Sequence, residues 1–249
     1  MPSEVGQHNV EIQANAAHWR RKPLLRKVYQ AFYEEIDMEL RHDLDGATVE
    51  IGSGIGNLKS VVPAAIATDI FPNPWLDQVE NAYALTFPNE SVANLILFDV
   101  WHHLEYPGTA LAEFHRVLRK GGRLVIFDPA MGLLGRIVYG VFHHEPLALG
   151  KEIRWSAPPN FSSTDMTYYA AQGNAQRVFF SNEFIARLSA WSVVRRSRFA
   201  GLTYVGSGGF SGPQLYPEKL YRAVHVLDRV ANWVPSLFAT RLLVALEKN

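Results

Sequence analysis

The chain has 249 residues, of which 48% are hydrophobic and 19% charged, a composition that indicates a folded globular protein and excludes a disordered one. Lysine and arginine together number 24, as do aspartate and glutamate, so the formal net charge is zero, which argues against a nucleic-acid-binding surface. There is no cysteine, which excludes disulfides, thiolate metal sites and cysteine nucleophiles.

The hydropathy pattern of the sequence does not indicate a membrane protein. The N-terminal stretch has no basic region followed by an apolar core, so it does not resemble a secretory signal. The most apolar run, GLLGRIVYGVF, is interrupted by Arg136 and is shorter than the ~18 residues that a membrane helix needs. We predict a cytoplasmic protein with no transmembrane segment and leave peripheral membrane contact open.

The N-terminal region is predicted to form one or two amphipathic helices, with Pro23 in a first turn or at a break. Its apolar residues recur at helical spacing: Leu25, Val28, Phe32, Ile36 and Leu40. That stripe fits a lid over a cofactor and packing against the rest of the domain equally well.

From Ala47 onward, strands alternate with helices. Strands are predicted in ATVEI, AAIATDI, QVENAYAL, SVANLILFDV, RLVIFDP, SVVRRSRF and TRLLVALEK. Helices are predicted near 57–62, in GTALAEFHRVLRKGG with Arg116, Arg119 and Lys120 in its last turn, in GLLGRIVYGVF, in SNEFIARLSAW with Ser181 as N-cap, and in LYPEKLYRAVHVLDRVANWVP. The stripe of this last helix (Leu220, Val224, Leu227, Ala231 and Val234) suits docking on the core, or a substrate cover or membrane-surface patch.

This alternation predicts βαβ units, a mostly parallel sheet and an α/β fold. Residues 156–176 are polar and turn-rich, and residues 200–212 read as a flexible loop. We predict a single domain over 1–249, with an N-terminal helical cap at 1–45, a cofactor-binding core at 46–129, and substrate-side additions with the last two strands at 130–249.

A glycine-rich loop follows the first strand in VEIGSGIGN. Gly52, Gly54 and Gly56 allow positive φ angles and a close approach of a ligand to the backbone. A dinucleotide fingerprint would place a third glycine at position 57, which is Asn57 here. The loop therefore predicts a nucleoside ligand, but not a typical NAD site.

Two acids flank this loop and decide between ligands. Asp69 ends the second strand, where a carboxylate can accept hydrogen bonds from both ribose hydroxyls. Glu50 ends the first strand beside the glycines, where a buried carboxylate would repel a pyrophosphate but suit a positively charged ligand. S-adenosylmethionine (SAM), which has a sulfonium, an ammonium and a ribose, fits this pattern better than NAD.

From about Ala47 to Pro129 the chain resembles the class I SAM-dependent methyltransferases, in particular the small-molecule group called methyltransferase domain 11. VEIGSGIGN resembles their first motif and ATDI their second, while LILFDVWHHLEYPGTALAEFHRVLRKGGRLVIFDP resembles their fourth strand, helix and fifth strand. The resemblance implies a Rossmann-like, seven-stranded, mostly parallel sheet with helices on both faces and an antiparallel last strand.

The resemblance also implies a set of cofactor-binding residues. They are Glu50, Gly52, Gly54, Gly56, Asp69, Ile70, Asn81, Ala82, Asp99 and Val100. Family members commonly have Asp-Ala where this chain has Asn81-Ala82, and Asn81 can still accept from the adenine amino group through its amide oxygen.

Histidines supply the candidate catalytic residues. His102 and His103 follow the fourth strand, at the sheet edge where open α/β folds bind ligands, and either a general-base role for His103 or a structural hydrogen bond fits them. His143 and His144 precede Glu145, which could orient a basic imidazole. Adjacent histidines seldom point the same way, so no metal site is predicted.

The densest basic cluster is Arg195, Arg196 and Arg198, which fits a solvated outer strand or an anion-binding surface. The function predicted from the sequence is methyl transfer from SAM to a small, hydrophobic or lipid-linked acceptor. A non-catalytic SAM- or nucleoside-binding module and an NAD-dependent oxidoreductase remain as alternatives. The oligomeric state stays open.

Overall fold

A computed structural model describes residues 4–164 and 168–249. Its helices are α1 (Glu4–Arg21), α2 (Pro23–Asp37), α3 (Pro107–Val117), α4 (Leu133–Val141), α5 (Asn174–Phe180), α6 (Leu202–Ser207), α7 (Tyr221–Ala231) and α8 (Pro235–Phe238). Its strands are β1 (Ala47–Ile51), β2 (Ile66–Asp69), β3 (Gln78–Val79), β4 (Val92–Phe98), β5 (Leu118–Pro129), β6 (Trp191–Phe199) and β7 (Arg241–Lys248). Short 3₁₀ turns lie at Asn57–Ser60, Trp101–His103, Ile185–Leu188 and Glu218–Leu220.

The strands form one seven-stranded sheet in the order β3-β2-β1-β4-β5-β7-β6. Strands β1 to β5 pair in parallel, whereas β7 is antiparallel to both β5 and β6. Carboxyl ends of parallel strands meet at one edge of a sheet, so the loops after β1, β2, β3 and β4 converge there. The predicted sheet with its antiparallel last strand is confirmed.

Helices cover both faces of the sheet, because alternate residues of the central strands point to opposite sides. In β4, Leu95 and Leu97 pack with the core beneath α3 and α5. Ile96 and Phe98 pack on the other face, with the buried stripe of α2. This two-sided burial explains the unbroken apolar run of β4.

Helix α2 packs on the sheet with the apolar stripe predicted from the sequence. Leu25, Val28, Phe32 and Ile36 are all buried, and the Phe32 ring lies 4.8 Å from that of Phe127 on β5. Pro23 occupies the first turn, as predicted. The contacts of this stripe are those of packing against the domain and not those of a lid over a cofactor.

Several boundaries differ from the predictions. Helix α3 ends at Val117, so Arg119 and Lys120 lie in β5 and not in a last helical turn. Ser181 follows α5, and its hydroxyl donates to the Arg177 carbonyl oxygen, so it is a C-cap and not an N-cap. Helix α5 begins inside residues 156–176, which were predicted to be turn-rich, and helix α6 lies inside residues 200–212, which were predicted to be a flexible loop. Residues 165–167 of the first stretch lie outside the described residues.

Helix α7 does not dock on the core with its apolar stripe, so the core-docking interpretation of that stripe is wrong. Its buried residues are Asp228 and Ala231, while Leu227 and Val230 are exposed. Asp228 replaces apolar packing with hydrogen bonds, because its carboxylate accepts from the Thr203 backbone amide and hydroxyl at the start of α6. Among the described residues, no helix combines the length and the apolar content needed to cross a bilayer.

Candidate active site

The glycine loop after β1 borders open space at the carboxyl edge of the sheet. Gly52, Gly54 and Gly56 have φ angles of +70°, +54° and +68°. A Cβ atom on Gly52 would lie 2.3 Å from Cγ2 of Val100, whereas one on Gly54 would meet nothing within 4 Å. The loop thus packs on the β4 loop at one glycine and presents bare backbone at the next, as a close ligand approach requires.

Asp69 ends β2 beside this loop. Its Oδ2 accepts the Gly54 amide at 3.1 Å and its Oδ1 accepts the Ile70 amide at 2.7 Å. These bonds hold the carboxylate next to the glycines. Asp69 and Ile70 therefore lie beside the glycine loop, and their contact with a ribose stays a prediction.

Glu50 is buried at the end of β1, and its Oε2 has no hydrogen-bond partner among the described residues. Burial raises the pKa of this carboxyl to about 8, and the nearby charge of Asp69 adds to the rise. A buried acceptor without a donor costs free energy. A cationic ligand beside the glycine loop would supply the missing partner, which fits SAM.

Asn81 and Ala82 follow β3 at the same edge. Oδ1 of Asn81 accepts the Tyr83 amide at 2.9 Å, and Nδ2 donates to the Ser163 carbonyl oxygen at 2.8 Å. A ligand amino group would therefore share an amide oxygen that already serves Tyr83. Ala82 is buried.

Asp99 and Val100 follow β4. Asp99 adopts a positive φ of +56° and forms an ion pair with Arg241, the first residue of β7. Arg241 is buried, and its guanidinium lies 4.2 Å from the centre of the Tyr204 ring. Asp99, expected near the methionine end of the cofactor, is thus held by an arginine that the sequence analysis did not identify.

His102 lies in the 3₁₀ turn after β4 and is buried between two carboxylates. Nδ1 lies 3.0 Å from Oδ1 of Asp128, and Nε2 lies 3.5 Å from Oε2 of Glu145. Burial opposes its positive charge, but Asp128 and Glu145 together raise the pKa of His102 to about 10. This placement matches the structural role considered for His102, in which hydrogen bonds hold the ring in place.

His103 has the opposite protonation preference. Burial and the neighbouring charge of His102 lower its pKa to about 4, so the ring is neutral at neutral pH. Nδ1 lies 2.9 Å from the Tyr169 carbonyl oxygen, an acceptor only, so Nδ1 carries the proton. Nε2 then presents a lone pair, 3.7 Å from Oε1 of Glu145.

His143 and His144 follow α4, and their rings stack with centres 4.9 Å apart. Nδ1 of His143 accepts the Glu145 amide at 3.3 Å, and burial lowers the pKa of this imidazole. Both rings border a cavity of about 180 Å³ that His103, Asp99 and Arg241 also line. The structure brings the three predicted catalytic histidines to one cavity.

Glu145 is the centre of this cluster. Burial opposes its negative charge, but His102, His103 and the Tyr168 hydroxyl hold the pKa of this carboxyl well below its usual range. Gln172 also donates to it. The sequence pattern links Glu145 only with its neighbouring histidines and not with His102, which lies 43 residues earlier in the chain and in a different loop.

Asp128 and Arg241 are two further residues that the sequence analysis missed. Asp128 lies near the carboxyl end of parallel β5, a position that could have identified it. Arg241 precedes the apolar run LLVAL of β7, and because β7 runs antiparallel its first residue reaches the same edge. A charged residue at the end of a buried strand is the signal in both cases.

Two of the three arginines of β6, Arg195 and Arg196, are already bonded within the protein. Arg195 forms ion pairs with Glu35 and Glu39 at 2.8 and 2.7 Å. Arg196 donates to the Phe179 carbonyl oxygen at 2.9 Å. These contacts fit the outer-strand reading better than an anion-binding surface.

Residues 49–126 match the family model described as a methyltransferase domain. The chain therefore contains a methyltransferase domain. The resemblance inferred from VEIGSGIGN and ATDI, the enzyme class and the cofactor are thereby confirmed. No curated protein matches the methyltransferase by sequence.

Solved structures share its fold at low sequence identity. A SAM-dependent methyltransferase from Archaeoglobus fulgidus matches with a TM-score of 0.53 and 12% identity, covering 90% of this chain and 94% of that one. A possible histamine N-methyltransferase from Thermotoga maritima matches with 0.52 and 13%, covering 96% and 99%. Geranyl diphosphate C-methyltransferase from Streptomyces coelicolor, in complex with Mg²⁺, geranyl diphosphate and S-adenosyl-L-homocysteine, matches with 0.51 and 12%, covering 89% and 81%.

Proposed function

We propose that the enzyme transfers a methyl group from SAM to a small, hydrophobic or lipid-linked acceptor bound in the cavity at the carboxyl edge of the sheet. The observation that supports a hydrophobic acceptor is an apolar surface beside that cavity. Helix α4 exposes Leu133, Ile137 and Val141, spaced four residues apart on one face, and Phe142 after them is 77% exposed.

A second apolar face lies next to the first. Helix α8 contacts α4, and the segment from α7 to α8 exposes Val230, Leu237 and Trp233, the last of them 84% exposed. Contiguous exposed apolar residues commonly mark an interaction site. Because Tyr139 of α4 lines the cavity, an apolar acceptor could reach it along this surface.

On the cofactor side, the residues fit the roles that the family resemblance implies. We propose backbone contact at Gly52, Gly54 and Gly56, with Asp69 and Ile70 at the ribose. Asn81 and Ala82 would border the adenine, and Glu50, Asp99 and Val100 the charged methionine portion. When bound, SAM supplies an activated methyl group whose transfer leaves a neutral thioether.

On the acceptor side, we propose that His103, His143 and His144 contact the acceptor. Methyl transfer requires alignment of donor and acceptor and, for a hydroxyl acceptor, removal of its proton. The neutral His103 ring, with the lone pair of Nε2 toward the cavity, can take a proton or bind a cation. The cytoplasmic location stays a prediction.

A direct test follows the methyl group. Purified enzyme is incubated with SAM that carries a radiolabelled methyl group. Either an apolar lipid extract or a polar metabolite extract, both prepared from one cell culture, supplies the acceptor. We expect label in the apolar fraction, and loss of that label when Asp69 is replaced by alanine. Label that appears only in polar products would refute the acceptor class while leaving the methyltransferase activity in place.

A further inference from the structure

Two neighbouring histidines in the 3₁₀ turn after β4 face a single carboxylate. Nε2 of His102 is 3.5 Å from Oε2 of Glu145, and Nε2 of His103 is 3.7 Å from Oε1. These three side chains offer one ligand atom each within 4.8 Å of one another. Glu145 is contributed by the loop after α4, so the cluster joins two loops across the cavity.

These separations are longer than good hydrogen bonds, which end at about 3.2 Å. They match the spacing of ligands that share an ion. Two donor atoms each ~2.1 Å from a metal lie about 3.4 Å apart in tetrahedral geometry. Nδ1 of His103 faces a carbonyl oxygen, which leaves Nε2 as the nitrogen that faces the Glu145 carboxylate, and a cation between them would bind both.

Outer partners orient each of the three groups. Asp128 contacts Nδ1 of His102 at 3.0 Å, and the Tyr169 carbonyl oxygen contacts Nδ1 of His103 at 2.9 Å. Tyr168 and Gln172 donate to the oxygens of Glu145. Histidines that bind metals usually bond a carboxylate or carbonyl through their other nitrogen, and metal-binding carboxylates are themselves hydrogen-bonded.

We propose that His102, His103 and Glu145 bind one divalent transition-metal ion, which takes the place of the proton on Nε2 of His102 and keeps an open coordination position toward the cavity. Two imidazoles and a carboxylate favour zinc, cobalt or iron over magnesium and calcium, which prefer oxygen ligands. This contrasts with the absence of a metal site expected from the sequence. Adjacent histidines converge here because Glu145, from a distant loop, lies between their ring tips.

Three protein ligands and an open position are the arrangement of catalytic rather than structural metal sites. Such an ion acts as a Lewis acid and lowers the pKa of a bound hydroxyl. Its role would be to hold and activate an oxygen of the acceptor. That role rests on the proposed function, whereas ion binding at these residues does not.

The test measures metal binding without SAM or acceptor. Untagged, chelator-treated enzyme is titrated with Co²⁺, followed by its visible absorption, and Zn²⁺ is then added as a competitor. We expect one Co²⁺ per chain with the absorption of a nitrogen- and oxygen-bound ion, displaced by Zn²⁺. No saturable binding to folded wild-type enzyme, or binding of Mg²⁺ alone, would overturn the proposal.

Variants locate the ion. Glu145→Gln and His103→Gln should each weaken Co²⁺ binding by about 100-fold or more, and Asp128→Asn, which acts through His102, by about 10- to 100-fold. The matched control is His144→Gln, at an exposed histidine of the same cavity, which should leave the affinity unchanged. Loss of binding in His144→Gln but not in Glu145→Gln would show adventitious binding to surface histidines and refute the site.

Folding and cofactor binding are followed separately. Circular dichroism identifies any variant that fails to fold. In that case the Co²⁺ spectrum and stoichiometry of the wild-type enzyme still decide whether the chain binds one ion through nitrogen and oxygen ligands. SAM titration of the metal-free enzyme reports on the proposed function alone. SAM binding without metal binding would refute only the ion, and metal binding without SAM binding would refute only the methyl-transfer assignment.

Discussion

Asp69 and Glu50 lie at the ends of adjacent strands, yet their surroundings give them different roles. Asp69 accepts two backbone amides, at Gly54 and Ile70. Glu50 is buried, and its Oε2 lacks a partner among the described residues. A carboxylate that is already held in place is suited to bind hydroxyls, whereas a buried one with an oxygen that lacks a donor is suited to a cation.

Replacing Asp69 by alanine should weaken SAM binding. Losing charge-assisted hydrogen bonds to the ribose costs about 1.5–3 kcal/mol, which is roughly tenfold or more in affinity. Isothermal titration of wild type, Asp69→Ala and the control Asp43→Ala, an exposed acid far from the loop, measures this. Equal weakening in both variants, or none in Asp69→Ala, would remove Asp69 from the cofactor site.

The buried Glu50 carboxyl makes the stability of the cofactor-free enzyme depend on pH. Its pKa of about 8 lies above the ordinary value of 4.5, so the folded state binds this proton more tightly than the unfolded state. Its contribution is fully present below about pH 4.5 and is lost as pH rises through 8, on the order of a few kcal/mol.

Urea unfolding between pH 5 and 9 tests this dependence, with Glu50→Gln as the matched variant. The wild-type free energy of unfolding should fall with pH relative to that of the glutamine variant, which cannot ionise there. Parallel pH profiles for the two proteins would show that Glu50 keeps an ordinary pKa.

At the scale of elements, the loop after β1 fits against the loop after β4 through one glycine. Gly52→Ala would place a methyl group 2.3 Å from Val100 and force a φ of +70° on alanine. The strained backbone costs about 1–3 kcal/mol, and the displaced loop should also weaken SAM binding. Gly150→Ala, where an added Cβ meets nothing within 4 Å, is the control.

Thermal unfolding and SAM titration measure both effects. We expect Gly150→Ala to behave as wild type in each assay. If Gly52→Ala were as stable as Gly150→Ala and bound SAM equally well, close packing of these two loops would not be needed for the site.

The elements predicted correctly from the sequence are those whose residue pattern has one physical explanation. The unbroken apolar run of β4 is explained only by a strand covered on both faces. The helical spacing of apolar residues in α2 is explained only by an amphipathic helix. The stripe of α7 has the same period, but periodicity does not state what covers a face, and Asp228 anchors that helix instead. The cluster around Glu145 was not predictable, because it depends on a contact between loops distant in the chain.

At the scale of the whole molecule, the N-terminal helices belong to the same core as the sheet. Phe32 of α2 packs against Phe98 and Phe127, with ring centres 6.4 and 4.8 Å away. Lys22, between α1 and α2, donates to the carbonyl oxygens of Gly209 and Gly212 near the other end of the chain. These contacts support the proposal that residues 1–249 are one domain.

Phe32→Ala should therefore destabilise the entire protein, by about 3–5 kcal/mol, as large-to-small changes in a packed core do. Urea unfolding followed by circular dichroism and tryptophan fluorescence should show one shared transition at lower urea. Met38→Ala, at an exposed residue just after α2, should leave the midpoint unchanged. Two separate transitions, with only one shifted by Phe32→Ala, would contradict the single-domain proposal.

The position of β7 also sets the order in which the molecule can be completed during synthesis. Strand β6 pairs with no described strand other than β7, which is made after it and inserts between it and β5. Arg241, which holds Asp99 beside the cavity, arrives with that same strand. A nascent chain that has left the ribosome as far as α8 therefore has its glycine loop and its first five strands, but neither a closed cavity nor a place for β6.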